Sequence, residues 1–241
     1  MLISIVNVQC KFQAKDDLLY NQVLFMPKRK FLGKSQSMSI KVDFKKALKQ
    51  FYNPPKGSFH IVNVPRMNFL MLDGKGDPNK SLDYQQAIDA LFTMSYGIKF
   101  ALKSQGYDHI VPPLEGLWWM ENMNEFTLAN KDRWEWTMMI MQPEWVITEW
   151  VEKVRQDAQK KKSKASLSEV RFDSLDEGLA VQVIYTGAYE KEAPMIAELH
   201  KFITSNGYRT NGKHHEIYLS DLRKTAPDRL QTILRQPICK V

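Results

Sequence analysis

Two helix-like segments of this chain leave by nearly the same four residues, Ser104-Gln-Gly106-Tyr107 and Ser205-Asn-Gly207-Tyr208. Glycine tolerates the left-handed backbone that ends a helix, so each motif reads as a C-terminal cap. The surroundings match as well. Before the first exit, residues 59–64 and 68–72 flank Pro65 and Arg66 as two strands with alternating β-branched and aromatic positions. A glycine turn at Gly74 and Gly76 follows. The stripe Tyr84, Ile88, Leu91, Ser95, Ile98, Leu102 then predicts an amphipathic helix over residues 81–105. Before the second exit, residues 170–172 and 179–186 are strands joined through Asp176, Glu177 and Gly178. A helix begins near Ala193 with Pro194 in its first turn and passes Ile196, Leu199 and Ile203. One such motif would mean nothing; its recurrence at the same point of a repeated element order indicates duplication of one unit. The expected fold is α+β: a pseudo-twofold tandem of two strand-helix-strand-strand units, about residues 57–165 and 166–241. Their antiparallel sheets lie side by side, with helices on one face and a ligand cleft between the units.

Residues 1–37 stand apart from this pattern. The apolar stretch 2–8 has no basic residue before it and no small-residue cleavage site after it, which fits a secretory signal poorly. The following MPKRKFLGKSQS has no periodicity, and Met38 opens a conventional-looking start. We expect a non-domain extension, disordered or reflecting a start placed too far upstream; a short strand pairing with the main sheet is the alternative. The domain is then residues 38–241, beginning with a short helix over 42–51 that Asn53, Pro54 and Pro55 stop.

The formal charge of +7 would suit a nucleic-acid binder, but residues 1–37 hold six basic against two acidic side chains, leaving only +3 beyond them. That is a weak footprint for phosphate recognition. The run Lys160, Lys161, Lys162, Lys164 reads as the solvated end of a second amphipathic helix (Ile147, Trp150, Val151, Val154, Ala158), and residues 160–168 as an exposed linker. With 44% hydrophobic residues the chain can bury a core. No apolar run reaches the roughly 18 residues of a membrane span, so no membrane association is expected. Cys10 and Cys239 form no metal or disulfide pattern, which makes a reducing cytoplasm the default.

All six tryptophans and five of the twelve methionines cluster over Trp118, Trp119, Met120, Met123, Trp134, Trp136, Met138, Met139, Met141, Trp145 and Trp150. Large aromatics beside adaptable methionines suit the wall of an apolar ligand pocket, and equally a core. Residues 114–120 and 134–141 read as strands, so Trp134, Trp136, Met138 and Ile140 share one face and Thr137, Met139 and Met141 the other. Glu115 shares a face with Leu117 and Trp119, and Glu216 with Tyr218. A glutamate facing aromatics in a cleft is desolvated and becomes usable as acid, base or counter-charge; one at the rim faces water. Other chemistry is thin. Adjacent His214 and His215 point to opposite faces, Gly74-x-Gly76 lacks a third glycine, and there is no GxSxG elbow. No metal and no cofactor is expected.

Tyr185-Thr-Gly187-Ala-Tyr189 before a helix, Glu216-Ile-Tyr218-Leu-Ser-Asp221, and Leu114-Glu-Gly-Leu-Trp118-Trp119 together resemble the GyrI-like small-molecule-binding family over residues 38–241. The resemblance implies a tandem architecture with a cleft, an aromatic pocket and a buried glutamate. Its stand-alone members are similar to hydrolases of cyclopropane-bearing, DNA-alkylating natural products. On that likeness Glu216 takes the catalytic position, and Trp118, Trp119 and Tyr189 take aromatic ligand-binding positions. Glu115, Tyr218, Trp136, Met139 and Met141 complete the candidate wall. Adjacent Trp118 and Trp119 can line one pocket only at a twist, bulge or strand end. Some relatives attach this domain to a DNA-binding helix-turn-helix; residues before Met38 lack two periodic helices, so no nucleic-acid partner is expected. The expectation is a cytoplasmic binder of bulky aromatic or cationic small molecules that hydrolyses cyclopropane-type toxins. The alternative is a non-catalytic sequestering or sensing protein that acts on a protein partner.

Overall fold

The computed structural model describes residues 41–161, 165–221 and 223–241, so the segment 1–37 lies outside the described residues. The first half runs β1 (Lys41–Val42), α1 (Phe44–Ala47), α2 (Lys49–Tyr52), β2 (His60–Val64), β3 (Met67–Lys75), α3 (Leu82–Lys103), β4 (Asp108–His109), β5 (Leu114–Trp119), β6 (Glu135–Gln142), α4 (Thr148–Lys161) and α5 (Ser166–Glu169). The second runs β7 (Arg171–Leu175), β8 (Gly178–Thr186), α6 (Ala193–Ser205), β9 (Tyr208–Thr210), β10 (His214–Tyr218) and β11 (Gln231–Lys240). The Ser81 hydroxyl caps α3 by accepting the Tyr84 N–H at 3.2 Å. At both S-x-G-Y exits the glycine takes the left-handed backbone, φ +88° at Gly106 and +75° at Gly207. The single helix expected over 42–51 is two single turns, broken at Leu48 where φ is −109° and ψ 45°.

The main sheet has nine strands in the order β2-β8-β11-β10-β5-β6-β3-β7, with β9 on the end of β11. Every pairing in it is antiparallel. Exchanging β2 for β7, β3 for β8, β5 for β10 and β6 for β11 reverses this order end for end. Only Pro65 and Arg66 part β2 from β3, and only Asp176 and Glu177 part β7 from β8. These two bent strands are also partners, through Val64 with Gly178 and Met67 with Leu175. They tie the two ends of the strand order together, so the sheet curls back on itself.

Alternation along the strands gives the sheet two apolar faces. On one, which we call the helical face, Leu70, Leu72, Trp118, Trp136, Met138 and Ile140 pack with α3 and α4. Val181, Val183, Leu234 and Ile238 of the same face pack with Leu199 and Ile203 of α6. On the other, Phe69, Met71, Leu117, Met139, Met141, Ile217 and Ile233 pack with Phe44, Leu48, Phe51 and Tyr52. The long helices thus share one face as expected, while α1 and α2 cover the second, which would otherwise expose its apolar side chains. Residues 160–168 are not wholly an exposed linker. Ser166 and Leu167 are buried, Leu167 within the core of α3 and α4, and the Arg155 guanidinium donates to the Leu167 carbonyl. Burying one leucine stabilises by about 2 kcal/mol, enough to draw a polar segment onto the core.

Candidate functional site

β10 and β5 lie side by side at the centre of the sheet, with Glu216 opposite Gly116 and Ile217 opposite Glu115. Alternation therefore sends His214, Glu216, Tyr218 and Trp118 to the helical face and Glu115, His215 and Trp119 to the other. The register through Trp118 and Trp119 is continuous against Trp136 and Glu135, with no bulge to turn both rings the same way.

On the helical face, the Tyr218 hydroxyl donates to Glu216 Oε2 at 2.9 Å and accepts the Trp118 indole N–H at 3.0 Å. Gly116 makes this chain of contacts fit: a Cβ there would lie 2.8 Å from Trp118 Nε1 and 3.1 Å from the Tyr218 oxygen. Tyr84, in the first turn of α3, packs on Trp118 at 6.0 Å between ring centroids and edge-on against Trp136 at 5.3 Å. Tyr189, from the 3₁₀ turn before α6, meets Tyr218 edge-on at 5.6 Å. His214 Nε2 stands 3.6 Å from Glu216 Oε1.

Glu192 caps the start of α6 and is only 4% exposed, yet its Oε1 has no hydrogen-bond partner among the described residues. Burial, and then the charge of Glu216, push its pKa up to about 9, so it carries a proton at neutral pH. Burial first and neighbouring carboxylates second also raise Tyr84, Tyr189 and Tyr218, which stay neutral phenols able to donate. Among the described residues neither Glu192 nor Glu216 has a lysine or arginine partner. The result is an acceptor carboxylate and a protonated carboxyl set among aromatic rings, an arrangement suited to a planar or cationic molecule and to proton transfer.

The opposite face holds a different kind of cluster. Glu115 accepts the Tyr52 hydroxyl at 2.9 Å and faces His215 Nε2 at 3.0 Å. His215 Nδ1 meets Glu177 at 2.8 Å. Arg235 donates to Glu177 at 2.9 Å, to Gln182 at 3.0 Å and to the Phe51 carbonyl at 2.6 Å. Glu115, His215 and Arg235 are at most 1% exposed. Burial would lower the His215 pKa, but Glu177 and Glu115 outweigh it and hold the imidazole up to about 9. Burial would raise Glu177, and the charges of His215 and Arg235 instead bring it down to about 2. Two basic groups answer two acidic ones, and each carboxylate has partners.

Of the residues expected at one site, the structure brings together Glu216, Tyr218, Trp118 and Tyr189. Trp136 lies beneath them, fully buried and seated over Gly74. Glu115, Trp119, Met139 and Met141 are on the other face. Glu115 is locked in the buried network, Met139 and Met141 pack with α1 and α2, and Trp119 is half-buried under the Lys213 ammonium, 3.1 Å from its ring centre. Tyr84, Glu192 and His214 join this cluster without having been expected there. Tyr84 was visible only as the first member of the α3 stripe, and nothing in the spacing of Glu192 marked it. A hollow lined by Arg66, Met67, Asn68, Gln142 and Glu144 opens at the far end of β6 and includes none of the cluster's residues. Among the described residues no group of three or more His, Cys, Asp or Glu could hold a metal ion, and no helix is long and apolar enough to cross a membrane.

Residues 58–238 match the family model of the GyrI-like small-molecule-binding domain. An uncharacterized conserved protein from Listeria innocua is 43% identical, with a TM-score of 0.77 over 83% of this chain and 100% of that one. A hydrolase from Listeria innocua is 40% identical, with a TM-score of 0.75 over the same shares. The EcmrR C-terminal domain, at 12% identity and a TM-score of 0.50 over 76% of this chain and 98% of that one, shares the fold alone. No curated protein matches. The strand order, the central glutamate among aromatic rings and the family match agree: this chain belongs to the GyrI-like small-molecule-binding family.

Proposed function

We propose that the cleft between α3 and α6 binds bulky planar molecules against Tyr84, Trp118, Tyr189 and Tyr218, and that Glu216 directs water onto a strained, electrophilic ring such as a cyclopropane. The observation that carries this reading is the Trp118–Tyr218–Glu216 chain of hydrogen bonds. It fixes one carboxylate oxygen through a neutral phenol; among the described residues Glu216 has no lysine or arginine partner, and His214 Nε2 stands 3.6 Å from its other oxygen. The hydrolase from Listeria innocua, 40% identical across 83% of this chain, supports the same class of activity. In the reaction Glu216 accepts a proton from water as the water oxygen bonds to the ring carbon. The ring carbon–carbon bond breaks, its electron pair passes into the conjugated acceptor, and that acceptor takes up a proton, so that one water is added overall. The aromatic rings hold the substrate plane, and the cytoplasm is where such an electrophile would have to be intercepted.

Glu216→Gln tests this. The amide keeps the shape and still accepts the Tyr218 hydroxyl, but it cannot take the proton. Turnover of a cyclopropane electrophile should fall about 10²- to 10⁴-fold while affinity for a neutral planar ligand changes little. Undiminished turnover in a folded Glu216→Gln protein would refute the assignment. A second reading, capture of planar cations without turnover, draws on the same carboxylate, set among rings with no lysine or arginine partner among the described residues. It predicts no product from the wild-type protein and a selective loss of cation affinity in the variant.

A further inference from the structure

Glu216 accounts for the base of the proposed reaction but leaves the proton that the opened ring must receive without a source. We propose that Glu192 is the proton donor of the cleft, partnered with Glu216 as its base. This rests on the hydrolytic reading above and extends it to a second residue.

A carboxyl group that is 96% buried with an unpartnered oxygen is expensive unless it is neutral, and even the neutral group gives up hydrogen bonds it would make in water. The opposite face shows that this fold can satisfy buried carboxylates fully when they serve packing. Glu177 there has both His215 and Arg235. Glu192 has no such partner. The groups facing it are Glu216 and Tyr218 from β10, Tyr185 from β8, and Tyr189 and Glu190 from its own turn, with the Thr232 hydroxyl from β11. Acids and phenols surround it, and no lysine or arginine among the described residues pairs with it. The charge of Glu216 adds to burial in opposing ionisation of Glu192, and Glu192 is the more deeply buried of the two. Glu192 is 4% exposed, whereas the Glu216 side chain is 15% exposed and bonded to Tyr218.

The balance then closes without any added reagent. Glu216 carboxylate takes a proton from water, the water oxygen bonds to the strained carbon, and the carbon–carbon bond breaks with its electron pair moving into the acceptor. The Glu192 carboxyl gives its proton to that acceptor. Glu216 is left protonated and Glu192 ionised, and transfer of one proton between them restores the starting state.

The experiment combines a carboxyl titration with a pH–rate profile on the full chain. With glutamate labelled at the carboxyl carbon, one NMR resonance should titrate near pH 9 in the wild-type protein and be missing from Glu192→Gln. Turnover of a cyclopropane electrophile should fall about 10²- to 10⁴-fold in that variant and lose its alkaline decline. Glu192→Asp, which keeps an acid at a shorter reach, should retain part of the rate and the decline. Were no glutamate to titrate above about pH 6, or were Glu192→Gln to turn over like wild type, the donor role would be overturned while Glu216 as base could stand. If the resonance is present but the wild-type protein forms no product, the hydrolytic reading itself fails, and the donor role with it.

Discussion

Glu115 and Glu216 lie on neighbouring strands, one registered pair apart, and meet opposite fates. Glu115 points beneath α1 and α2 into a network where Tyr52 and His215 hold both its oxygens. Glu216 points to the helical face, where Tyr218 holds one oxygen, His214 stands 3.6 Å from the other, and aromatic rings take the place of lysine and arginine. Both settings are desolvated, so burial alone does not separate a structural carboxylate from a reactive one. Partners do. Where every acceptor is matched, charge is spent on fixing the fold; where acceptors are left open, the site remains able to bind or to exchange a proton.

The largest effect that would break this contrast belongs to the closed network. Arg235→Leu leaves Glu177 buried with half of its support gone, which costs about 3–5 kcal/mol, a fall in thermal midpoint on the order of 10 °C for a domain of this size. Scanning calorimetry checks it. A midpoint unchanged within 2 °C would mean that the network is not structural. Ligand affinity of the folded fraction should be unaffected.

Next in size is the contrast between adjacent tryptophans. Trp118→Ala removes a ring from the cleft and the donor that orients Tyr218, and should weaken a planar ligand by roughly 1–3 kcal/mol. Trp119→Ala, on the other face under Lys213, should leave that affinity within about twofold, less than 0.5 kcal/mol. Isothermal titration of both variants reads the difference directly. Equal losses would show that the strand does not part the two rings.

The last contrast is in the pH dependence of stability, where the two clusters have opposite signs. Glu177, held down to about 2 from an ordinary 4.5, contributes stability that is present above pH 4.5 and lost as pH falls toward 2. His215, held up to about 9 from 6.5, contributes stability that is present below pH 6.5 and lost as pH rises through 9. Glu192, also raised to about 9, is an acid, so it opposes folding increasingly from pH 4.5 to 9. Glu192→Gln should therefore raise the midpoint at pH 8 and leave the acid limb alone, as thermal melts across pH would show.

Much of this arrangement was legible in the residues. The two S-x-G-Y exits pointed to the repeated element order, and period-two alternation separated Glu216 and Tyr218 from their neighbours. What could not be read was lateral. Strand β11, which places Leu234 beside Glu216 and Arg235 beside His215, is interrupted in sequence by Pro237, a residue that argues against a central strand. Its missing N–H is tolerated because β10 pairs only with residues 232–235 of that strand. Without β11 and the crossing of β7 into β8 at Glu177, nothing in the sequence shows that Glu115 has Arg235 and His215 near it. It looked as available as Glu216. Glu192 was hidden for a similar reason: its burial depends on α6 folding over β8 and β11, a contact with no local pattern.

The most direct test of the division sets Glu216→Gln beside Glu115→Gln and titrates each with a planar cationic dye, correcting for folded fraction. We predict that Glu216→Gln binds about tenfold or more weakly, at least about 1.4 kcal/mol, with its thermal midpoint kept. Glu115→Gln should bind as wild type does while melting at a lower temperature. Normal dye affinity in Glu216→Gln together with lost affinity in Glu115→Gln would place the functional cleft on the wrong face of the sheet and contradict the account.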